Sequence, residues 1–203
     1  MWKTISEPEV VLEDKPYFRL LKKAFITKNG RVIPNYYLLD NPNWVNVVAL
    51  TKNFEIVLIK QFRPGANRMI TGLPAGCVDK NEDPKTTALR ELREESGYVS
   101  YQVIPISTQY ANPAQQENVI FSFLALNAEL IPDAVLDADE ETEPFIVPFV
   151  DYLKQILQTT GLGDHQVHFT SSIFFAVNVI LKLNDPSLAL LKKEILKIFT
   201  LDS

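Results

Sequence analysis

Two rhythms of apolar residues divide the chain. Up to residue 64, and again over 101–147, apolar positions come in short runs rich in β-branched and aromatic residues; beyond 150 they recur every three to four positions. The first rhythm predicts strands and the second predicts helices. Runs at 17–26 and 32–39 flank Lys28-Asn29-Gly30-Arg31, and an Asn-Gly between two apolar runs signals a hairpin. Asn41-Pro42-Asn43 then punctuates the chain, so a small N-terminal β unit, 1–43, is expected ahead of a larger domain, 44–203. In that domain 45–50 and 55–64 read as a central hairpin about the turn Thr51-Lys52-Asn53. A strand is expected over 101–106, a loop over 108–117, and a buried strand over 119–126, whose apolar run is continuous. An acidic, turn-rich linker spans 132–144. Helices are expected over 150–157, 167–183 and 186–199, the second carrying the stripe Ile173, Phe174, Val177, Ile180 and Leu181. No internal repeat or low-complexity segment is present.

One helix stands apart from this pattern. Between strand-like runs, Asp83 suits an N-cap, Pro84 the first helical position and Gly97 a left-handed C-terminal residue, which predicts a helix from Pro84 to Ser96. Ala88, Leu89 and Leu92 form its apolar sector. Glu91, Glu94 and Glu95 stand at i, i+3 and i+4, so they share a face, expected to lie away from the apolar sector. Carboxylates so close repel one another. Such a row is stable when solvated or when bridged by a cation, and a hard divalent ion with oxygen ligands suits it.

Composition narrows the function. A chain of 203 residues, 46% hydrophobic and 22% charged, buries a real core. Its net charge of −5 argues against a nucleic-acid or membrane-surface binder. Cys77 is the one cysteine, so no internal disulfide forms, and nothing near it in sequence activates a thiolate. His165 and His168 lack a third ligand nearby, which disfavours a metal site there. With no apolar run of 18 residues and no leader pattern at the N-terminus, a cytoplasmic protein is expected.

The spacing G-x5-E-x7-R-E-aliphatic-x-E-E-x-G is met at Gly76, Glu82, Arg90, Glu91, Leu92, Glu94, Glu95 and Gly97. Chance agreement at the fixed identities is on the order of 10⁻⁹ per register. The stretch resembles the Nudix box, with Tyr98 where an aliphatic residue is usual. Gln61-Phe62-Arg63-Pro64 and Leu73-Pro74-Ala75-Gly76 resemble the nucleoside diphosphate sugar branch, ADP-ribose pyrophosphatases above all. Asn112-Pro113-Ala114 is similar to that branch's Ser-Pro-Gly loop. One departure is Gly72, where the branch often has Glu.

The resemblance implies an α/β Nudix fold, a mixed sheet sandwiched between helices, with a small N-terminal β domain that helps form a homodimer and part of the substrate site. It implies Mg²⁺, with Mn²⁺ as an alternative, held by Glu91, Glu94, Glu95 and the Ala75 carbonyl, with Arg90 orienting Glu91 and Glu82 as a supporting acid. Arg63, Pro113 and Glu117 are the implied substrate contacts, and Glu141 or Glu143 in the acidic linker the implied general base. The implied reaction is hydrolysis of a nucleoside diphosphate linked to another group, ADP-ribose to AMP and ribose 5-phosphate. A GDP-sugar, NADH or a dinucleoside polyphosphate remains open as the substrate, as does a non-catalytic nucleotide-binding module. The partner implied is a small nucleotide, with neither nucleic acid nor membrane.

Overall fold

The computed structural model describes residues 1–14, 18–132, 141–159, 163 and 167–200. The chain divides into two compact units, Met1–Asn43 with Gln109–Ile120, and Trp44–Thr108 with Phe121–Ser203.

In the first unit β3 (Phe18–Ile26) is the central strand. It pairs antiparallel with β1 (Lys3–Thr4), β2 (Glu9–Asp14) and β4 (Val32–Leu39). Gly30 (φ 79°) turns the chain between β3 and β4, a left-handed position where a side chain is costly. Segment 109–120 joins this unit through long-range contacts. The Leu39 amide donates to the Gln115 carbonyl (2.8 Å), Tyr36 Oη donates to the Ala114 carbonyl (2.6 Å), and Lys23 ion-pairs with Glu117. None of these is local in sequence, so the expected loop gave no sign of them.

In the second unit β5 (Trp44–Thr51) runs through the middle of a sheet ordered β10-β11-β5-β6-β12. It is flanked by β11 (Val119–Leu130) and β6 (Glu55–Arg63), with β10 (Gln102–Tyr110) beyond β11 and β12 (Glu143–Pro148) beyond β6. Three short strands complete the sheet: β7 (Arg68–Gly72) on β6, β8 (Ala75–Cys77) on β5, and β9 (Tyr98–Val99) on β11. Alternation assigns the faces. Val45, Val47, Ala49 and Val57 pack with Ala88 and Leu92 of α1 (Pro84–Ser96). Val48, Leu50, Ile56 and Leu58 pack with α2 (Phe149–Gln158), α3 (Val167–Lys182) and α4 (Ala189–Phe199) on the opposite face. This is the expected α/β sandwich. Of the α3 stripe, Ile173, Val177 and Ile180 are buried, while Phe174 and Leu181 are only partly so.

Three boundaries move. β10 continues to Tyr110 and β11 to Leu130, past the expected ends at 106 and 126, because pairing partners extend them: Glu129 and Leu130 lie opposite Val99 and Tyr98. β12 begins at Glu143, opposite Lys60. Gly72 has a steric reason: a Cβ there would lie 2.6 Å from Cε2 of Phe169 on α3, so the aromatic ring occupies the space that a side chain needs. Among the described residues no single helix is long and apolar enough to cross a membrane.

Candidate active site

Helix α1 is fixed at both ends by its own sequence. Asp83, in an extended conformation, accepts from the amides of Lys85 and Thr86 at 3.1 Å each. Pro84 fills the first helical position, and Gly97 (φ 74°) donates its amide to the Arg93 carbonyl at 2.8 Å. These are the expected limits of the helix.

The acidic face differs from the expected one. Glu91 and Glu95 are buried, at 5% and 1% exposure, and only Glu94 is partly open. Strand β8 is what covers them. Glu95 Oε2 accepts from the Ala75 amide at 2.6 Å. A Cβ on Gly76 would lie 2.0 Å from Glu91 Oε1 and 2.1 Å from its Cδ, so the carboxylate occupies the space that a side chain at 76 would need. This is the physical reason for glycine at the first position of the motif.

Arg90 joins three of the motif's acids. Arg90 Nη1 lies 2.8 Å from both Glu91 Oε1 and Glu94 Oε2, and its Nη2 lies 3.3 Å from Glu82 Oε2 and 3.4 Å from the Cys77 carbonyl. Glu82 also accepts from Thr87 Oγ1 at 2.8 Å. Burial works against the Arg90 charge, but bonds to Glu82 and Glu94 and the nearby Glu91 charge outweigh it and hold the guanidinium pKa above its ordinary value. The Arg90 hydrogen bond, with help from Thr87, depresses the Glu82 pKa. Glu82, Glu91 and Glu94 share this guanidinium, and Glu91 and Glu95 are buried. Burying carboxylates without a compensating cation is costly. The hard oxygen donors of Glu91, Glu94, Glu95 and the Ala75 carbonyl fit a divalent ion in chemistry and in charge. Among the described residues, however, no three His, Cys, Asp or Glu side chains already converge on one point.

The other expected residues fall in different places. Arg63 ends β6 opposite Arg68, and alternation from Val57 puts it on the α1 face of the sheet. Pro113 and Glu117 are exposed and belong to the first unit, where Glu117 pairs with Lys23. Glu143 lies opposite Lys60 and shares its face with Phe145 and Val147, away from α1. Glu141 is exposed and has positive φ (45°), a sparsely populated conformation for a residue other than glycine. The rest of the acidic linker, 133–140, and His165 lie outside the described residues. His168 packs edge-on against Trp44, and burial lowers its pKa. Cys77 is exposed.

Two residues escaped the sequence reading. Thr142 donates its Oγ1 to the Glu95 carbonyl at 3.0 Å, and no local pattern announces that contact. Asn46, fully buried opposite Ala75, has neither amide nitrogen nor oxygen hydrogen-bonded among the described residues. A lone amide inside the apolar run WVNVVAL was the available signal for it.

An α/β sandwich that buries two carboxylates of the six-residue run R-E-L-R-E-E against strand β8 defines a class of site, one built from oxygen donors on a single helix. The NUDIX domain model matches residues 42–169, and the chain belongs to the Nudix family of hydrolases. Hydrolases of this family generally work with a divalent metal ion. ADP-ribose pyrophosphatase of Bacillus subtilis is 36% identical over 120 residues, which cover 59% of this chain and 65% of that protein, under two thirds of its length. GDP-mannose pyrophosphatase of Yersinia pestis is 27% identical over 164 residues, covering 75% of this chain and 82% of that one. The crystal structure of an ADP compounds hydrolase superposes with a TM-score of 0.70 over 88% of this chain and 96% of its own, at 17% identity. That likeness carries the fold.

Proposed function

We propose that the protein is a Mg²⁺-dependent pyrophosphohydrolase that cleaves ADP-ribose to AMP and ribose 5-phosphate. The observation that carries the reading is the pair of buried carboxylates, Glu91 and Glu95, one turn apart on α1 with the Glu95 carboxylate against the Ala75 amide and the Glu91 carboxylate against Gly76. Glu91, Glu94, Glu95 and the Ala75 carbonyl hold the ion, Mg²⁺ or Mn²⁺, which when bound neutralises phosphate charge and acidifies water. Arg90 holds Glu91 in place, a charge-assisted contact at 2.8 Å. Arg63, on the same face of the sheet, binds a phosphate. Glu141 takes the proton of the attacking water as its oxygen bonds to phosphorus. The bond from that phosphorus to the bridging oxygen breaks, and the two monophosphates leave. Glu141 suits this role better than Glu143, whose register turns it from α1.

The B. subtilis relative supports ADP-ribose as the substrate. The Y. pestis relative, matched over more of its length, favours a second reading, a GDP-sugar. We further propose a cytoplasmic homodimer formed by the first unit, whose strand β2 leaves Val10, Val11 and Leu12 exposed.

A turnover panel of ADP-ribose, GDP-mannose, NADH and a dinucleoside polyphosphate decides among these substrates. The expected result is AMP and ribose 5-phosphate from ADP-ribose with Mg²⁺, none with EDTA, and a loss of kcat of about 10²-fold or more in Glu95→Gln. A higher kcat/KM on GDP-mannose would move the assignment, and full turnover in EDTA would overturn it.

A further inference from the structure

The chain enters and leaves the acidic linker at one place. Just before it, the Ile131 amide donates to the Gly97 carbonyl at 3.0 Å; near its end, Thr142 Oγ1 donates to the Glu95 carbonyl at 3.0 Å. Both acceptors belong to the C-terminal end of α1, and Glu95 is the residue whose side chain is buried against the Ala75 amide. The last carbonyls of a helix have no partner within it, so a hydroxyl from outside is a good donor for one of them. Glu141, directly before Thr142, is held at φ 45°. Backbone in that region persists where neighbouring contacts over-determine it, and the Thr142 bond is such a contact.

We propose that Thr142 is a positioning residue for the hydrolysis: its hydroxyl, bonded to the Glu95 carbonyl, fixes Glu141 at the end of the helix that carries the buried carboxylates. The inference rests on the reading of Glu141 as the base. A one-ångström displacement of such a group is enough to slow a reaction strongly, whereas binding elsewhere on the substrate is untouched. The hydroxyl therefore acts on kcat rather than on KM.

The test is a double-mutant cycle on ADP-ribose hydrolysis with Mg²⁺, using Thr142→Val and Thr142→Ser in the wild-type and Glu141→Gln backgrounds, with melting temperatures recorded for each. Thr142→Val is expected to lower kcat about 10-fold with KM within about 2-fold, and Thr142→Ser, which keeps the hydroxyl, to restore most of it. In the Glu141→Gln background, already slow, Thr142→Val is expected to change kcat by less than about 2-fold, because the group it positions is gone. Thr142→Ala replaces Thr142→Val in the same comparison if that variant is insoluble.

Wild-type kcat in Thr142→Val beside a crippled Glu141→Gln overturns the positioning role and leaves the base in place. Wild-type kcat in Glu141→Gln overturns the base reading, and the positioning role with it. Equal losses in the Val and Ser variants, or an undiminished Thr142→Val effect in the Glu141→Gln background, assign Thr142 to structure alone and also overturn the proposal.

Discussion

The two faces of the second unit's sheet are built on opposite principles. On the side of α2, α3 and α4 the core holds Phe149, Leu153, Ile173 and Ile180 packed with Val48, Leu50, Ile56 and Leu58, all buried and apolar. The α1 side holds Val45, Val47, Ala49, Ala88, Leu92 and Phe123, and beside them two buried carboxylates. The first face gains hydrophobic free energy and asks for little else. The second keeps a charge cluster that a core of leucines would make more stable, since buried ion pairs seldom repay their desolvation. A face that retains such a cost is the one where chemistry is expected, and the other is the one that holds the domain together.

The sharpest way to break this contrast is at Gly76. Gly76→Ala puts a methyl group where the Glu91 carboxylate now sits, 2.0 Å from Oε1, and forces that side chain off Arg90. A displacement of this size at a group held by a 2.8 Å ion pair is expected to cost on the order of 10²-fold in kcat/KM. The fold is expected to survive, because the three atoms nearest the added methyl all belong to the Glu91 carboxylate, the far end of a flexible side chain. Steady-state kinetics beside a thermal melt checks both halves; activity within about 3-fold of wild type would deny Glu91 its role.

The converse substitution is on the apolar face. Leu153→Ala opens a cavity at a fully buried position of α2 and is expected to cost about 2–5 kcal/mol of stability. The folded fraction is expected to keep its kcat/KM within about 2-fold, because the carboxylates are carried by α1 on the opposite face of the sheet. Chemical denaturation with activity measured below the transition tests the pair of claims. A 10²-fold loss of activity in protein that remains folded would show the faces to be coupled and end the division of labour.

How much of this was legible in the sequence follows the range of the forces involved. Helix α1 was readable to the residue because Asp83, Pro84 and Gly97 act on their own backbone. Strands β5 and β6 were readable because a run of β-branched residues buried on two faces has few other uses. The spacing of Glu91, Glu94 and Glu95 placed them on one side of a helix but carried no information about what covers that side. Three residues of β8 do so, and a strand that short exists only through its partner β5. The same holds for β7 and β9. Segment 109–120 joins the first unit, and Thr142 meets Glu95, through contacts between residues far apart in sequence. Gly72 looked like a lost acid in the sequence; the Phe169 ring against it gives that position a steric meaning of its own.

The smallest expected effect separates the charge cluster's contribution to stability from its contribution to chemistry. Glu82 is held ionised by Arg90 and Thr87, with its pKa below the ordinary glutamate value. A carboxyl whose folded pKa is depressed stabilises the protein at pH above its unfolded pKa, about 4.3, and loses that contribution as pH falls through the lower folded value. Glu82→Gln has no such carboxyl to titrate. Melting temperatures of the two proteins are therefore expected to differ most at neutral pH, with the wild type higher, and to converge as pH falls from about 5 toward 3. The site is close to solvent and one partner is a partly exposed arginine, so the difference is expected to shrink also with added salt. A gap that widens on acidification would mean that Glu82 is protonated in the native state. Arg90 would then rely on Glu91 and Glu94 alone, and the acid at the start of the helix would have no part in holding the guanidinium that faces Glu91.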